Sequence, residues 1–138
     1  MFDELEKYKN KGHFFFMKES DLKEVSKDVP DLPGVFYVFR LAGGRIDLVY
    51  IDYPGGRAND NPADKQSLRE RINGKHGSMT RQEFFERKMA EEQIEGLDIY
   101  WVVTHDGKHK DAPSKIARKL IQRHLDIYGE LPVWNNEV

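Results

Sequence analysis

Arg71 and His76 are the side chains in the middle of the chain whose types best fit phosphate chemistry. A guanidinium group presents planar, permanently charged donors that match the oxygens of a phosphate. His76 follows closely enough to face the same pocket, although a single histidine is more often a surface residue. Arg71 is equally well explained as an exposed helix arginine. Asp52 adds a carboxylate that could bind a metal ion, repel a phosphate or simply begin a loop.

The segment from 107 to 124 is the one locally basic part of the chain, with Asp111 as its only acid. Four basic residues fall on a predicted helix there: Lys115, Arg118, Lys119 and Arg123. They are candidates for contacting nucleic-acid phosphates, and a solvated helix face is the alternative. His105 and His109 lie in a glycine-containing turn and make a weak metal pair. The sequence therefore assigns no set of metal ligands.

The elements that must position these residues follow the order β-hairpin, helix, helix, strand, helix. Aromatic and β-branched residues predict strands at 34–40, 46–51 and 97–104. A turn at 42–45 joins the first two strands, and a loop is predicted over 53–62. Thr80 to Glu83 forms a capping box that opens a helix, and Gly129 ends the last one. Helices packed on three strands form a small α/β sandwich.

Five fragments occur in a fixed order: Gly34-Val35-Phe36-Tyr37, Val49-Tyr50-Ile51-Asp52, Leu68-Arg69-Glu70-Arg71-Ile72, Leu120-Ile121 and Leu131-Pro132-Val133-Trp134-Asn135. In that order and at those intervals they resemble the GIY-YIG nuclease superfamily over residues 32 to 135. The resemblance implies an α/β (α+β) domain at 32–138, whose three-stranded, mainly antiparallel sheet is flanked by helices. Residues 1–31 then form an N-terminal helical extension. The resemblance also implies a metal-dependent endonuclease that acts on DNA or RNA and uses magnesium or manganese.

The same resemblance gives roles to three residues. Tyr50 matches the tyrosine of the second motif, Arg71 the helix arginine that binds the phosphate, and Asn135 the late asparagine that supports the site. A strand tyrosine buried for packing remains the alternative for Tyr50. We expect these three residues to converge on one surface pocket that Phe36 and Ala117 line.

The chain departs from the family pattern at positions that carry the chemistry. Phe36 stands where the family has a tyrosine, and a phenyl ring cannot donate or accept a proton. Tyr37 is adjacent, but it could substitute only if the strand bulges, because successive strand residues point to opposite faces. Ala117 stands where the metal-binding glutamate aligns, and no acid occurs from 112 to 122 to provide a carboxylate instead. Asp52 replaces a glycine that permits close approach.

Composition narrows the function further. The net charge of −2 and the pI of about 6.2 argue mildly against a dedicated nucleic-acid binder. The absence of cysteine excludes disulfides and cysteine-ligated metals. No apolar run approaches a membrane span and no signal-peptide pattern begins the chain, so we expect a cytoplasmic protein without a membrane partner.

Two functional classes stay open from the sequence. One is an endonuclease that works through Tyr50, Arg71 and a displaced carboxylate such as Asp52. The other is a non-catalytic relative on the same fold that binds nucleic acid or a protein partner. The groups that surround Arg71 discriminate between them, because a nuclease needs that guanidinium to be available to a phosphate.

Overall fold

A computed structural model describes residues 2–52 and 66–136 of the chain. Four strands form its main sheet: β1 (Lys11–Phe16), β2 (Gly34–Ala42), β3 (Arg45–Ile51) and β6 (Gly96–Val103). Their order is β1-β6-β2-β3, and every neighbouring pair is antiparallel. A separate small hairpin consists of β4 (Lys75–His76) and β5 (Met79–Thr80).

Four α-helices lie in the described ranges: α1 (Leu22–Val25), α2 (Leu68–Ile72), α3 (Arg81–Glu91) and α4 (Pro113–Tyr128). Short 3-10 helices cover Asp3–Leu5 and Val133–Asn136. Local sequence explains where the longer elements begin and end. Capping boxes start α2, through Ser67 and Glu70, and α3, through the predicted Thr80 and Glu83. Gly129 ends α4 with a φ of 76°, a left-handed conformation that favours glycine.

A bulge in β3 changes the direction of the side chains near the end of that strand. Val38 pairs with Tyr50, whereas Phe39 pairs with Leu48, so Val49 is an extra residue in β3. A bulge of this kind interrupts the strict alternation of side chains between the two faces. As a result, both Val49 and Tyr50 contact the same hydrophobic core.

Two cores lie on opposite faces of the sheet, because side chains alternate along β2. The first core contains Phe36 and Val38 and is covered by α1, α2 and α3, which bury Leu22, Leu68, Ile72, Phe84 and Phe85 there. The second core contains Val35 and Val102 and is covered by α4, which buries Ile116, Ala117 and Leu120 there. The two faces therefore carry different helices and, as described below, different candidate functions.

The mixed α/β class with an antiparallel sheet is confirmed, but the expectation of three strands is one strand too few. The missed strand is β1, which pairs with β6 from Lys11 opposite Val102 to Phe16 opposite Leu97. It lies in the segment 1–31, where the sequence predicts only helix. The loop expected over 53–62 lies outside the described residues. None of the helices in the described ranges is long and apolar enough to cross a membrane.

Candidate functional site

Arg71 is held by a carboxylate at the end of the strand that faces it. Its Nε donates to Asp52 Oδ2 at 2.5 Å and its Nη2 donates to Asp52 Oδ1 at 3.0 Å, which makes a bidentate ion pair. A further hydrogen bond joins Arg71 Nη1 to Gln66 Oε1 at 2.9 Å. The side chain of Asp52 is only 1% exposed. The arginine expected to bind a substrate phosphate therefore already binds an anion of the protein itself.

Asn135 fixes the backbone that carries Asp52. Its Oδ1 accepts from the N–H of Ile51 at 2.9 Å, and its Nδ2 donates to the carbonyl of Ile51 at 2.8 Å. The next amide, that of Asp52, donates to the carbonyl of Phe36 at 2.9 Å. These bonds tie the C-terminal segment and β2 to the end of β3. Asn135 thus holds the end of β3 in place through the main chain.

Arg81, at the first position of α3, lies beneath Tyr50. Its guanidinium is centred 5.1 Å from the Phe36 ring and 5.6 Å from the Tyr50 ring, and the residue is only 4% exposed. Nη1 donates to the Tyr50 hydroxyl at 3.3 Å and Nη2 donates to the carbonyl of Arg71 at 3.1 Å. Sequence reasoning missed Arg81. The only signal was a long cationic side chain directly after the cap residue of a helix.

The Tyr50 hydroxyl keeps its proton in this position and so cannot act as a base at neutral pH. Burial is the largest effect and raises its pKa above the ordinary value, although the nearby Arg81 charge lowers it in part. At neutral pH the phenol therefore stays protonated. Its ring lies 5.5 Å from that of His76, which in turn stacks on Phe84 at 3.5 Å between ring centroids. His76 does lie beside the candidate site, as its spacing from Arg71 suggested.

Phe36 and Ala117 do not lie together, so the expectation that both line one pocket is wrong. Phe36 is completely buried in the first core, in contact with Arg81 and Tyr50. Ala117 is completely buried in the second core, under α4 and across the sheet. A glutamate at position 117 would lie on the wrong face to serve Arg71. Alignment of this helix with the family's metal-binding helix is therefore not supported at this residue.

Tyr37 also lies on the face away from Arg71, so it does not replace the hydroxyl that Phe36 lacks. It stacks on Tyr100 with 5.4 Å between ring centroids and contacts Phe2 edge to face. Burial raises the pKa of Tyr37 to about 12, and the charges of Tyr100 and Asp98 add to the effect. The bulge in β3 re-aims Tyr50 but leaves Tyr37 on the second face.

Within the described residues, the groups around Arg71 do not fit a divalent metal. A hard cation needs several oxygen ligands, preferably carboxylates. Asp52 is engaged on both oxygens by Arg71, and α4 offers no acid on this face. Nowhere in 2–52 or 66–136 do three His, Asp or Glu side chains gather as a metal would require. The weak pair expected at His105 and His109 gains no third ligand there.

The basic residues of α4 differ in how exposed they are. Lys115, Arg118 and Lys119 are exposed, whereas Arg123 is partly buried and donates to Glu4 Oε2 at 2.9 Å. The contact with Glu4 ties the start of the chain to this helix. Three of the four predicted nucleic-acid contacts are therefore exposed, and Arg123 is partly buried and bonded to Glu4.

No protein-family model, no curated protein and no solved structure matches this chain. The likeness to GIY-YIG nucleases consequently rests on the ordered motifs. Tyr50, Asp52, Arg71 and Asn135 meet at the end of β3, whereas Ala117 does not. The site is best described as a closed arginine site.

Proposed function

We propose that this chain is a catalytically inactive, nucleic-acid-binding relative of GIY-YIG nucleases. The observation that carries the proposal is the ion pair between Arg71 and the buried Asp52. In a nuclease of this kind the arginine would neutralise charge that develops on the phosphate. Here the fixed carboxylate of Asp52 occupies the place of the phosphate, so the arginine contributes to the fold rather than to chemistry.

Energetics favour the closed state of this site. A phosphate that bound Arg71 would displace Asp52 and leave a 1% exposed carboxylate without its partner. Breaking a buried ion pair in this way costs about 3–5 kcal/mol. A hydrogen bond to a charged group returns only about 1.5–3 kcal/mol. The exchange is therefore unfavourable unless Asp52 itself moves into water.

The remaining chemistry is missing for separate reasons. Phe36 has no hydroxyl, Tyr50 keeps its proton at neutral pH, and Ala117 lies across the sheet. An endonuclease, the alternative function, would need the ion pair to open and Asp52 to become a metal ligand. Both changes would have to occur together, which makes the binding function the better fit to this geometry.

Nucleic acid is the proposed ligand because three basic side chains of α4 are exposed. Lys115, Arg118 and Lys119 lie on the outer side of α4, away from the closed site. Contacts from these residues to phosphates would be indifferent to base sequence and sensitive to salt. The balanced net charge of −2 predicts weak rather than tight binding.

Fluorescence anisotropy with labelled DNA and RNA oligonucleotides, in the presence of manganese, tests both halves of the proposal. We expect weak binding whose log–log salt slope falls by about 0.7–0.9 for each lost phosphate contact when Lys115→Ala and Lys119→Ala are introduced. Lys27→Ala, which removes another exposed lysine, is the matched control. The recovered oligonucleotide should be intact on a gel. Absence of binding would refute the nucleic-acid-binding function. Cleavage that needs Arg71 would refute the proposal that the protein is catalytically inactive.

A further inference from the structure

A row of stacked aromatic rings crosses the second face of the sheet, beside the area that α4 covers. His13 of β1, Tyr100 of β6 and Tyr37 of β2 are consecutive partners across the three strands. His13 and Tyr100 stack with 4.7 Å between centroids and 12° between planes. Tyr100 and Tyr37 stack at 5.4 Å and 6°. The three rings are therefore nearly parallel and form one continuous stack.

The two ends of this row differ. At Tyr37 the ring of Phe2 packs edge to face at 5.2 Å and 84°, which closes that end. His13 lies on β1, the edge strand, and the Phe15 ring packs edge to face against it with 5.6 Å between centroids. Its side chain is 44% exposed, and Phe15 beside it is 49% exposed. The row is thus open at His13, where a planar group could add one more layer.

The open end is held in place and has a cation nearby. Asp98 lies 2.8 Å from His13 Nδ1, which fixes the plane of the imidazole ring. Lys11 precedes His13 on the same face of β1; it is exposed, and its Nζ donates to the carbonyl of Leu5 at 3.4 Å. Lys11 also lines a cavity of about 300 Å³ beside Tyr37 and Tyr100, whose lining does not include His13 or Phe15. A ligand with a planar ring and a nearby negative charge matches the partly exposed rings of His13 and Phe15 and the charge of Lys11.

We propose that the open end of this row binds an unpaired base of a single-stranded nucleic acid. The base stacks on the outer side of His13, Phe15 forms the second wall, and Lys11 faces the adjoining phosphate. Base stacking on aromatic side chains is a general mode of single-strand recognition, because every base has a π-face. Bases inside a duplex are already stacked and paired, so a duplex cannot use this site. The inference rests on the proposed nucleic-acid function and specifies its ligand.

A second copy of the chain is the competing occupant of this edge. Two β1 strands could pair edge to edge, since an unpaired strand edge is a template for another strand. Such pairing would cover His13 without any contribution from Lys11. The match between one exposed lysine and a phosphate, next to an open ring stack, favours nucleic acid. Self-association is therefore an outcome that the experiment must distinguish.

The test measures anisotropy of a labelled oligothymidine, an oligouridine and a duplex DNA of the same length with the intact chain. We expect His13→Ala and Phe15→Ala each to weaken single-strand binding by roughly 5- to 100-fold and to leave duplex binding unchanged. Lys11→Ala should lower the salt slope for the single strand by about 0.7. Tyr128→Ala, which removes a 55% exposed ring from the end of α4, is the matched control and should change nothing.

The outcomes separate this inference from the proposed function. Single-strand binding that is unchanged in both His13→Ala and Phe15→Ala overturns the stacking site but leaves the nucleic-acid function standing. No binding of any oligonucleotide overturns both. Sedimentation that shows a dimer of the wild-type chain and a monomer of His13→Ala assigns the edge to self-association and overturns the inference. Circular dichroism melts confirm that each variant is folded.

Discussion

The two faces of the sheet treat their functional groups in opposite ways. On the first face, Arg71 forms an ion pair with Asp52. Arg81 donates to the Tyr50 hydroxyl and packs against the surrounding rings. On the second face, the ring stack ends at His13, whose side chain is 44% exposed. The comparison teaches that residues matching an active-site motif can be tied into internal ion pairs, while side chains outside the motif are partly exposed.

The largest expected effect comes from breaking the closed face. Arg71→Ala leaves Asp52 buried and without its ion-pair partner, so we expect the free energy of unfolding to fall by about 3–5 kcal/mol. Urea denaturation measures this loss. Arg45→Ala is the control, because Arg45 also pairs with an aspartate but its side chain is 78% exposed, and we expect a change within about 0.5 kcal/mol. Equal effects of the two substitutions would contradict a buried, structural ion pair.

A smaller effect should follow from releasing the backbone that carries Asp52. Asn135→Ala removes both hydrogen bonds to Ile51 and leaves its N–H and carbonyl without those partners. We expect a loss of about 1–3 kcal/mol in the free energy of unfolding, measured in the same denaturant series. A neutral result would show that Asn135 does not hold the end of β3.

On the second face, the buried hydroxyl of Tyr37 should make the free energy of unfolding depend on pH in the alkaline range. Burial raises the pKa of Tyr37 to about 12 in the folded chain, above its ordinary value of 10.0. The unfolded chain therefore loses this proton first, and the stabilisation is complete below pH 10.0 and lost as pH rises to about 12. Unfolding of Tyr37→Phe should depend less steeply on pH in that window than unfolding of the wild type. Identical slopes would contradict burial of this hydroxyl.

The smallest expected change in stability comes from Phe15, on the second face. Phe15→Ala removes a ring that is 49% exposed, so we expect the free energy of unfolding to change by no more than about 0.5 kcal/mol. Urea denaturation again provides the measurement. A loss comparable to that of Arg71→Ala would mean that Phe15 belongs to the core rather than to a binding surface.

Local signals predicted much of the fold. The β2–β3 hairpin, the capping box at Thr80 and the end of α4 at Gly129 follow from turn and cap residues and are all present. β1 was missed because His13 to Phe16 are consecutive aromatic residues without clear alternation. Their two faces become distinct only when β6 provides a partner strand.

The candidate site was predictable in part, for a related reason. Arg71, Tyr50 and Asn135 do meet at the end of β3, as their order along the chain implies. Ala117 was misplaced because spacing along a helix does not determine which face of a sheet that helix covers. The pairing of Asp52 with Arg71 likewise depends on tertiary contact, and sequence reasoning left three roles open for that carboxylate.

Plasmid nicking in manganese tests the central claim, that Asp52 removes Arg71 from phosphate chemistry, most directly. The assay compares the wild-type chain, Arg71→Ala and Asp52→Gly, each shown to be folded, with a protein-free blank. We predict that the wild type nicks supercoiled DNA no faster than the blank, because Asp52 already binds the arginine. Removal of that arginine in Arg71→Ala should therefore leave the rate at the level of the blank. Metal-dependent nicking by the wild type that disappears in Arg71→Ala would contradict the claim.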